Sequence, residues 1–227
     1  MSKITSVEPQ IKNPKRFNIF IDGVFAFGAD EDLVVDYRLV VGKLLDTLDV
    51  EKLLFEAEVG KLMERMYRLF NIRQRSEREV RDYFRIKNFE SRIKAKEETG
   101  DLAIELVIKK LKQKGLLNDE EFAKVWVESR GKKYGVNRIK QELYKKGIDK
   151  DTIEEVIDGE RMGNSEQVAQ KLLEKKSERW ENLLFLEFKK KAYDFLLRRG
   201  FDYQTVKSIV EKFLKKEYNN HGESELE

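Results

Sequence analysis

The chain of 227 residues has no cysteine, two prolines and one histidine. Without cysteine there is no disulfide and no thiolate ligand for a metal. The one histidine, His221, lies in an acidic C-terminal stretch, where a solvated side chain is the ordinary finding. No apolar run approaches the ~20 residues that a membrane helix needs. These absences favour an intracellular, cytoplasmic protein without a membrane span or a signal peptide.

Recognisable catalytic patterns are also missing. The chain has no Gly-rich phosphate loop ending in Lys-Ser/Thr, no His-Glu-x-x-His and no acidic set with metal-loop spacing. A paired-carboxylate site stays open on counting alone, since Asp and Glu total 43. These carboxylates stand beside Lys and Arg in helical patterns, where ion pairs explain them. We therefore predict a binding protein, not an enzyme, with no cofactor and no metal.

Charge is abundant but nearly balanced, with a net charge of +3 and 39% charged residues. It is unevenly placed, because residues 65–96 carry eleven Lys/Arg against four Asp/Glu. Residues 1–57 are acidic on balance, and residues 161–217 are basic again. The basic stretches are candidate contacts for an acidic protein or for a nucleic-acid backbone. Solvated helix faces with ion pairs four residues apart are the alternative.

Basic residues followed by glycine recur after amphipathic runs, at Gly115, Gly147 and Gly200. Cations offset the negative end of a helix, and glycine adopts the left-handed conformation that closes it. Asn88 stands in a related position after Arg85. Between the second and third glycine the apolar pattern repeats at an offset of 53 residues. This periodicity predicts tandem repeats of about three helices.

The N-terminal part reads differently. Apolar residues alternate in residues 17–21, and Asp22-Gly23 separates them from the apolar run 24–27. This pattern predicts a β-hairpin, which should pack on a third strand or a helix because an isolated hairpin is marginal. Residues 33–35 fit either a strand or the start of a helix. Further along, Ser76 with Glu79 and Asn118 with Glu121 each form a capping box at a helix start.

The sequence thus predicts a mainly α protein with three tandem three-helix repeats in an elongated array and a small N-terminal β-hairpin extension. The predicted parts are residues 1–48 for the hairpin, 49–98 for the first repeat, 99–159 for the central repeat, 160–217 for the third repeat and 218–227 for a disordered tail. Within them, residues 158–165 are the expected linker before the third repeat.

Several of these motifs, taken in order, resemble the RecX family, the bacterial regulators of the RecA recombinase. Arg73-Gln74-Arg75-Ser76 followed by Glu79-Val80 looks like the first-repeat signature of that family. The segment from Leu111 through Gly115 to Asp119, and the segment 122–130, look like the centre of its pattern. Gly135-Val136-Asn137-Arg138-Ile139 and the segment from Glu142 to Ile148 complete it. The departures are Asn88 in place of the usual glycine, Val80 in place of leucine, and a looser third repeat.

The resemblance implies a protein that binds RecA, or the RecA–DNA filament, and lowers strand exchange, ATP hydrolysis and coprotease activity. It places the chain in homologous recombination, DNA repair and the SOS response. We expect a monomer. A protein partner with at most weak direct DNA contact is expected, because a pure DNA binder would usually be more basic than +3. The alternative is a helical DNA-binding protein that acts through its basic faces without RecA. A generic helical scaffold is a third reading.

Candidate partner-binding residues are cations at helix starts and turns. They are Arg73, Arg75, Arg78, Arg81, Arg130, Lys132, Lys133, Arg138 and Lys140. Solvated faces are the alternative for all of them. Structural roles are predicted for Ser76, Gly115, Asp119, Phe122, Trp126, Leu143, Gly147 and Gly200. We expect Trp126 in the core and Asp119 at a helix start, whereas Trp180 fits either the core or an exposed anchor.

Overall fold

The computed structural model describes residues 1–91, 97–159, 165–180 and 183–222. The chain begins with a small sheet and is otherwise mainly helical, as predicted. It divides into two compact units, Met1–Leu117 and Asn118–Glu227. The strands are β1 (Ser2–Gln10), β2 (Asn13–Ile21), β3 (Val24–Asp30) and β4 (Leu44–Leu45). The helices are α1 (Glu31–Asp36), α2 (Thr47–Phe70), α3 (Glu77–Ser91), α4 (Glu97–Gln113), α5 (Asp119–Gly131), α6 (Val136–Lys145), α7 (Lys150–Gly159), α8 (Ser165–Ser177), α9 (Phe185–Arg198) and α10 (Tyr203–Gly222).

The predicted hairpin is confirmed as β2 and β3. Asp22 and Gly23 both have positive φ, 50° and 83°, which is the conformation that a two-residue hairpin turn of this sequence requires. The sheet has four antiparallel strands in the order β3-β2-β1-β4, so the hairpin is only half of it. Strand β1 escaped the sequence analysis because only Ile4 along it is fully buried, and its pattern of alternation is weak.

One face of the sheet packs on the first half of α2. Ile4 and Ile19 are fully buried there against Leu53 and Ala57. The ambiguous segment 33–35 is helical, in α1, and the Asp30 carboxylate caps it by accepting a hydrogen bond from the Leu33 amide at 2.9 Å. The sheet and α2 therefore share one hydrophobic core, which meets the need of the hairpin for a packing partner.

The first three-helix core lies between α2, α3 and α4. It contains Met66 from α2, Val80 and Phe84 from α3, and Val107 and Leu111 from α4. The structure thus differs from the predicted boundary at residue 98, because the apolar stripe of α4 packs on α2 within the first unit. The expected helix end at Asn88 was also wrong. Helix α3 continues to Ser91, since asparagine lowers helix propensity without stopping a helix.

The second unit contains two separate three-helix cores. Helices α5, α6 and α7 enclose Phe122, Ile139 and Leu143, and helices α8, α9 and α10 enclose Leu173 and Leu196, with other apolar side chains. Part of the expected linker, residues 160–164, lies outside the described residues. Helix α10 extends to Gly222, beyond the predicted start of the tail, and residues 223–227 lie outside the described part.

Candidate partner-binding surface

Two of the four arginines around the start of α3 are held by ion pairs within the first unit. Arg73 makes two hydrogen bonds to the Glu79 carboxylate, at 2.7 and 3.1 Å. Arg81 pairs with Glu77 at 2.7 Å and with Glu105, and the hydrogen bond to Glu105 is the main reason why the pKa of Arg81 is raised. Both guanidinium groups therefore hold α3 in place, which leaves little of their charge for a partner.

The other two arginines are less engaged. The side chain of Arg78 is 56% exposed and only approaches Asp82, at 3.8 Å. The Nε of Arg75 is buried and has no hydrogen-bond partner among the described residues. The predicted basic face of α3 is therefore divided: Arg78 and Arg85 lie on the surface, whereas Arg81 contacts α4. Arg78 is therefore the arginine of this group whose charge is most accessible to a partner.

In the second unit, one carboxylate organises a cluster of predicted site residues. Glu142, in α6, accepts hydrogen bonds from Arg130 at 2.6 and 2.8 Å, from Arg138 at 3.2 Å and from the Trp126 indole at 3.1 Å. The hydrogen bonds from Arg130 are the main cause of its lowered pKa. Four hydrogen bonds on two oxygens fill the acceptor capacity of this carboxylate.

Aromatic rings continue the same cluster. The Tyr134 ring centroid lies 4.4 Å from the guanidinium carbons of both Arg130 and Arg138 and 5.6 Å from that of Arg199. Lys146 lies 4.5 Å from the Trp126 ring centroid. Cation–π contacts of this kind each contribute about 0.5–1 kcal/mol at partly exposed sites. The cluster is therefore a packed, cooperative part of the second repeat.

The lysines near this cluster differ in their pairing. Lys140 forms an ion pair with Glu154 of α7. Lys132 and Lys133 follow α5, are exposed, and make no ion pair with any residue that the structure describes. Among the five predicted cations between residues 130 and 140, these two are the free charges.

A backbone contact joins the second repeat to the third. The Gly135 amide donates to the Arg199 carbonyl at 2.9 Å, and the Asn137 amide donates to the Gly200 carbonyl at 3.1 Å. The carbonyl end of α9 thus meets the amide end of α6, where the two helix dipoles have opposite sign. A Cβ added at Gly135 would collide with the backbone of Gly200, and one added at Gly200 would collide with Arg138. Both glycines are required by close approach.

Arginine side chains reinforce this contact. Arg138 donates to the Arg198 carbonyl at 3.2 Å, and Arg199 donates to the Lys133 carbonyl at 2.8 Å. Beside the contact lies a groove with a volume of about 550 Å³. Helix α6 forms one wall, and the end of α9 with the start of α10 forms the other. Its lining includes Asn137, Arg138, Gln141, Lys145, Leu197, Arg198 and Tyr203.

Most of the residues predicted to be structural lie where a structural role places them. Gly115, Gly147 and Gly200 have positive φ, between 68° and 84°. Phe122 and Leu143 are buried in the second-repeat core. Ser76 is fully buried, and its hydroxyl accepts a hydrogen bond from the Glu79 amide at 3.3 Å.

The structure gives more detailed positions for three further residues that the sequence analysis singled out. Asp119 is the first residue of α5, while the cap is Asn118, whose side chain accepts from two backbone amides. Trp126 is only partly buried, because its indole lies at the core edge beside the Glu142 cluster. Trp180 packs edge-on against Phe188 and Phe195, so it belongs to the third core and is not an exposed anchor.

Sequence reasoning missed the residues that hold these groups together. Glu142 was noted only as part of a motif, although its position four residues after Arg138 is the spacing of a helical ion pair. Nothing in the spacing of Lys145 and Arg198 connects them, since only the contact between repeats brings both to one groove. In the described part of the chain, no helix is long and apolar enough to cross a membrane, and no acidic or histidine group is arranged to bind a metal ion.

These features define a class of protein in which a small N-terminal antiparallel sheet is followed along the chain by helical repeats with charged surfaces. Comparison with known proteins identifies the family. The RecX N-terminal domain matches residues 2–46, the second RecX three-helix domain matches residues 118–157, and the third matches residues 164–210. Together these models match more than half of the sequence, and the chain belongs to the RecX family.

Relatives and solved structures agree with this assignment. The chain is 35% identical to the regulatory protein RecX of Bacillus velezensis, covering all of this chain and 82% of the relative. It is 31% identical to that of Clostridium perfringens strain SM101, covering 96% and 99% of the two chains. A crystal structure of regulatory protein RecX superposes with a TM-score of 0.69 at 25% identity, over 93% of this chain and 100% of the other.

Proposed function

We propose that this protein binds RecA, or the RecA–DNA filament, and inhibits its recombinase, ATPase and coprotease activities. The observation that carries the proposal is similarity along essentially the whole chain to proteins named regulatory protein RecX. A regulator acts through a surface and not through a reaction centre, in keeping with the absence of recognisable catalytic motifs from the sequence.

The contacts within the chain narrow the surface that would meet RecA. Ion pairs within the chain already engage Arg73, Arg81 and Lys140. Lys132 and Lys133 make no such pair among the described residues, and Arg78 makes only a long one. We therefore assign contact with acidic RecA residues to Arg78, Lys132 and Lys133.

The test is DNA-dependent ATP hydrolysis by RecA from the same source, with this protein titrated below one copy per RecA. Inhibition at such ratios is the expected result. An absence of inhibition, together with binding to bare DNA that weakens steeply with salt, would instead favour the independent DNA-binding protein. Lack of both would contradict both functions.

Charge reversal then tests the assigned surface. We expect Arg78→Glu and the double variant Lys132→Glu/Lys133→Glu each to raise the concentration needed for half inhibition by roughly tenfold, about 1.4 kcal/mol. Lys171→Glu/Lys175→Glu is the matched control, since both lysines are exposed on α8 and the change in net charge equals that of the double variant. Equal behaviour of the two double variants would remove Lys132 and Lys133 from the interface.

A further inference from the structure

The groove between α6 and the α9–α10 corner carries positive charge that nothing in the described chain neutralises. Lys145 is exposed and makes no ion pair with a described residue. Arg198 is exposed, and its Nε donates only to the Asp194 carbonyl, at 3.0 Å. Both residues line the groove, one from each wall. An anionic group between the walls would therefore find two unpaired cations.

The two carboxylates that line the groove are already occupied. Glu142 is shared between Arg130, Arg138 and Trp126. Asp202 accepts from the Thr205 amide at 2.8 Å and from the Thr205 hydroxyl at 2.6 Å, as the cap of α10. Neither carboxylate forms an ion pair with Lys145 or Arg198. The electrostatic character of the groove is thus set by Lys145 and Arg198.

Other groups in the groove suit a polypeptide. Asn137 and Gln141 are exposed, and their side-chain amides make no hydrogen bond to any described residue. Each offers a donor and an acceptor, the pair of groups that a peptide bond also presents. Leu197 is 41% exposed and Tyr203 is 58% exposed, so the groove also offers apolar surface for side chains. Its volume of about 550 Å³ is typical of a binding cleft.

Nucleic acid fits the same groove less well. Its affinity comes mainly from many cations neutralising consecutive phosphates. Residues 118–227 contain 23 Lys/Arg and 23 Asp/Glu, so the second unit has no net charge to attract a polyanion. A peptide with a few spaced carboxylates needs only the two unpaired cations of the groove, Lys145 and Arg198.

We propose that this groove binds an extended, carboxylate-bearing segment of a partner protein, with Lys145 and Arg198 pairing to its carboxylates and Asn137 and Gln141 bonding its backbone. The inference rests on the proposed function, because the segment would belong to the protein that this chain regulates. It adds Lys145 and Arg198 to the contacts already assigned to Arg78, Lys132 and Lys133.

The first experiment measures binding of the full-length protein to a fluorescein-labelled decapeptide of alternating Glu and Leu, by fluorescence anisotropy. Its counterpart with Gln in place of Glu and a 15-nucleotide oligothymidine are the reference probes. We expect the acidic peptide to bind more tightly than both. Lys145→Glu/Arg198→Glu should weaken its binding by roughly tenfold. Lys171→Glu/Lys175→Glu, with the same change in net charge, should leave binding unchanged.

Three results would overturn the proposal: no binding of the acidic peptide, equal weakening by both double variants, or tighter binding of the oligothymidine with sensitivity at Lys145 and Arg198. Circular dichroism checks that the variants fold, which we expect because neither residue makes an ion pair with a described residue.

The RecA assay separates this inference from the proposed function. If RecA is inhibited and Lys145→Glu/Arg198→Glu inhibits as well as the unmodified protein, the groove proposal fails while the function stands. If RecA is not inhibited at all, the function fails, and the peptide measurement still decides whether the groove binds carboxylates.

Discussion

The backbone contact between the second and third repeats should contribute to the stability of the protein. Alanine substitutions at two glycines, one inside this contact and one outside it, measure that contribution. Gly200 and Gly115 both have positive φ, 84° and 68°, and both close a helix. A Cβ at Gly115 meets nothing within 4 Å, whereas one at Gly200 collides with Arg138. Alanine at either site has the same backbone strain, and only Gly200→Ala also disrupts the contact between repeats.

The expected losses in the free energy of unfolding follow from the backbone strain and from the disrupted contact. Left-handed backbone costs an alanine about 1 kcal/mol, which is the whole loss expected for Gly115→Ala. Gly200→Ala must also push Arg138 away and so lose the hydrogen bonds from Gly135 and Asn137. At about 1 kcal/mol for each bond, the total loss becomes about 3 kcal/mol. The expected difference between the variants is therefore about 2 kcal/mol.

Urea unfolding followed by tryptophan fluorescence measures this difference. Trp126 reports on the second repeat in a Trp180→Phe background, and Trp180 reports on the third repeat in a Trp126→Phe background. We expect the two transitions to coincide in the parent chain and to separate in Gly200→Ala, since each repeat keeps its own core. Equal losses for Gly200→Ala and Gly115→Ala, with transitions still coincident, would refute the argument that the backbone contact couples the repeats.

Three further predictions concern single side chains. Glu142→Gln should cost about 1–3 kcal/mol in urea unfolding, because Arg130 and Arg138 lose their shared counter-charge; a loss below 0.5 kcal/mol would contradict this. The lowered pKa of Glu142 means that its contribution is complete above its usual value of 4.5 and is lost as the pH falls through the folded-state pKa, so acid unfolding curves of Glu142→Gln should be flatter below pH 4.5. Ser76→Ala should cost about 1 kcal/mol in urea unfolding through loss of the α3 cap, and an unchanged stability would contradict the capping role.

The local features of the fold were readable from the sequence because they depend on near neighbours. The Asp22-Gly23 turn needs positive φ at two adjacent residues, and this residue pair supplies it. Gly115, Gly147 and Gly200 end their helical runs for the same local reason. The helix end predicted at Asn88 was wrong, because asparagine prefers the left-handed conformation less strongly than glycine does. Strand β1 was missed because its pairing with β2, and not its own pattern, makes it a strand.

The sequence identified the cations of the candidate surface, but not which of them are ion-paired and which are exposed. Arg78 and Arg81 are three residues apart on one helix, yet Arg78 is exposed and Arg81 is paired with Glu105, which is 24 residues away. Lys132 and Lys140 differ in the same way, because a carboxylate of α7 lies beside Lys140. Whether a charge is free depends on which element packs beside it, and composition holds no information on that.

By itself, the sequence determined the helical repeats, their glycine ends, the hairpin and the family, since each depends on local spacing or on motifs in order. Tertiary structure alone decided that Glu142 also binds Arg130 and Trp126, and that Gly135 and Gly200 bring two repeats into backbone contact. It also decided that Lys145 and Arg198 face one groove. The physical reason is separation along the chain: the Lys133 carbonyl and the Arg199 side chain, for example, are 66 residues apart, and only packing brings them within hydrogen-bonding distance.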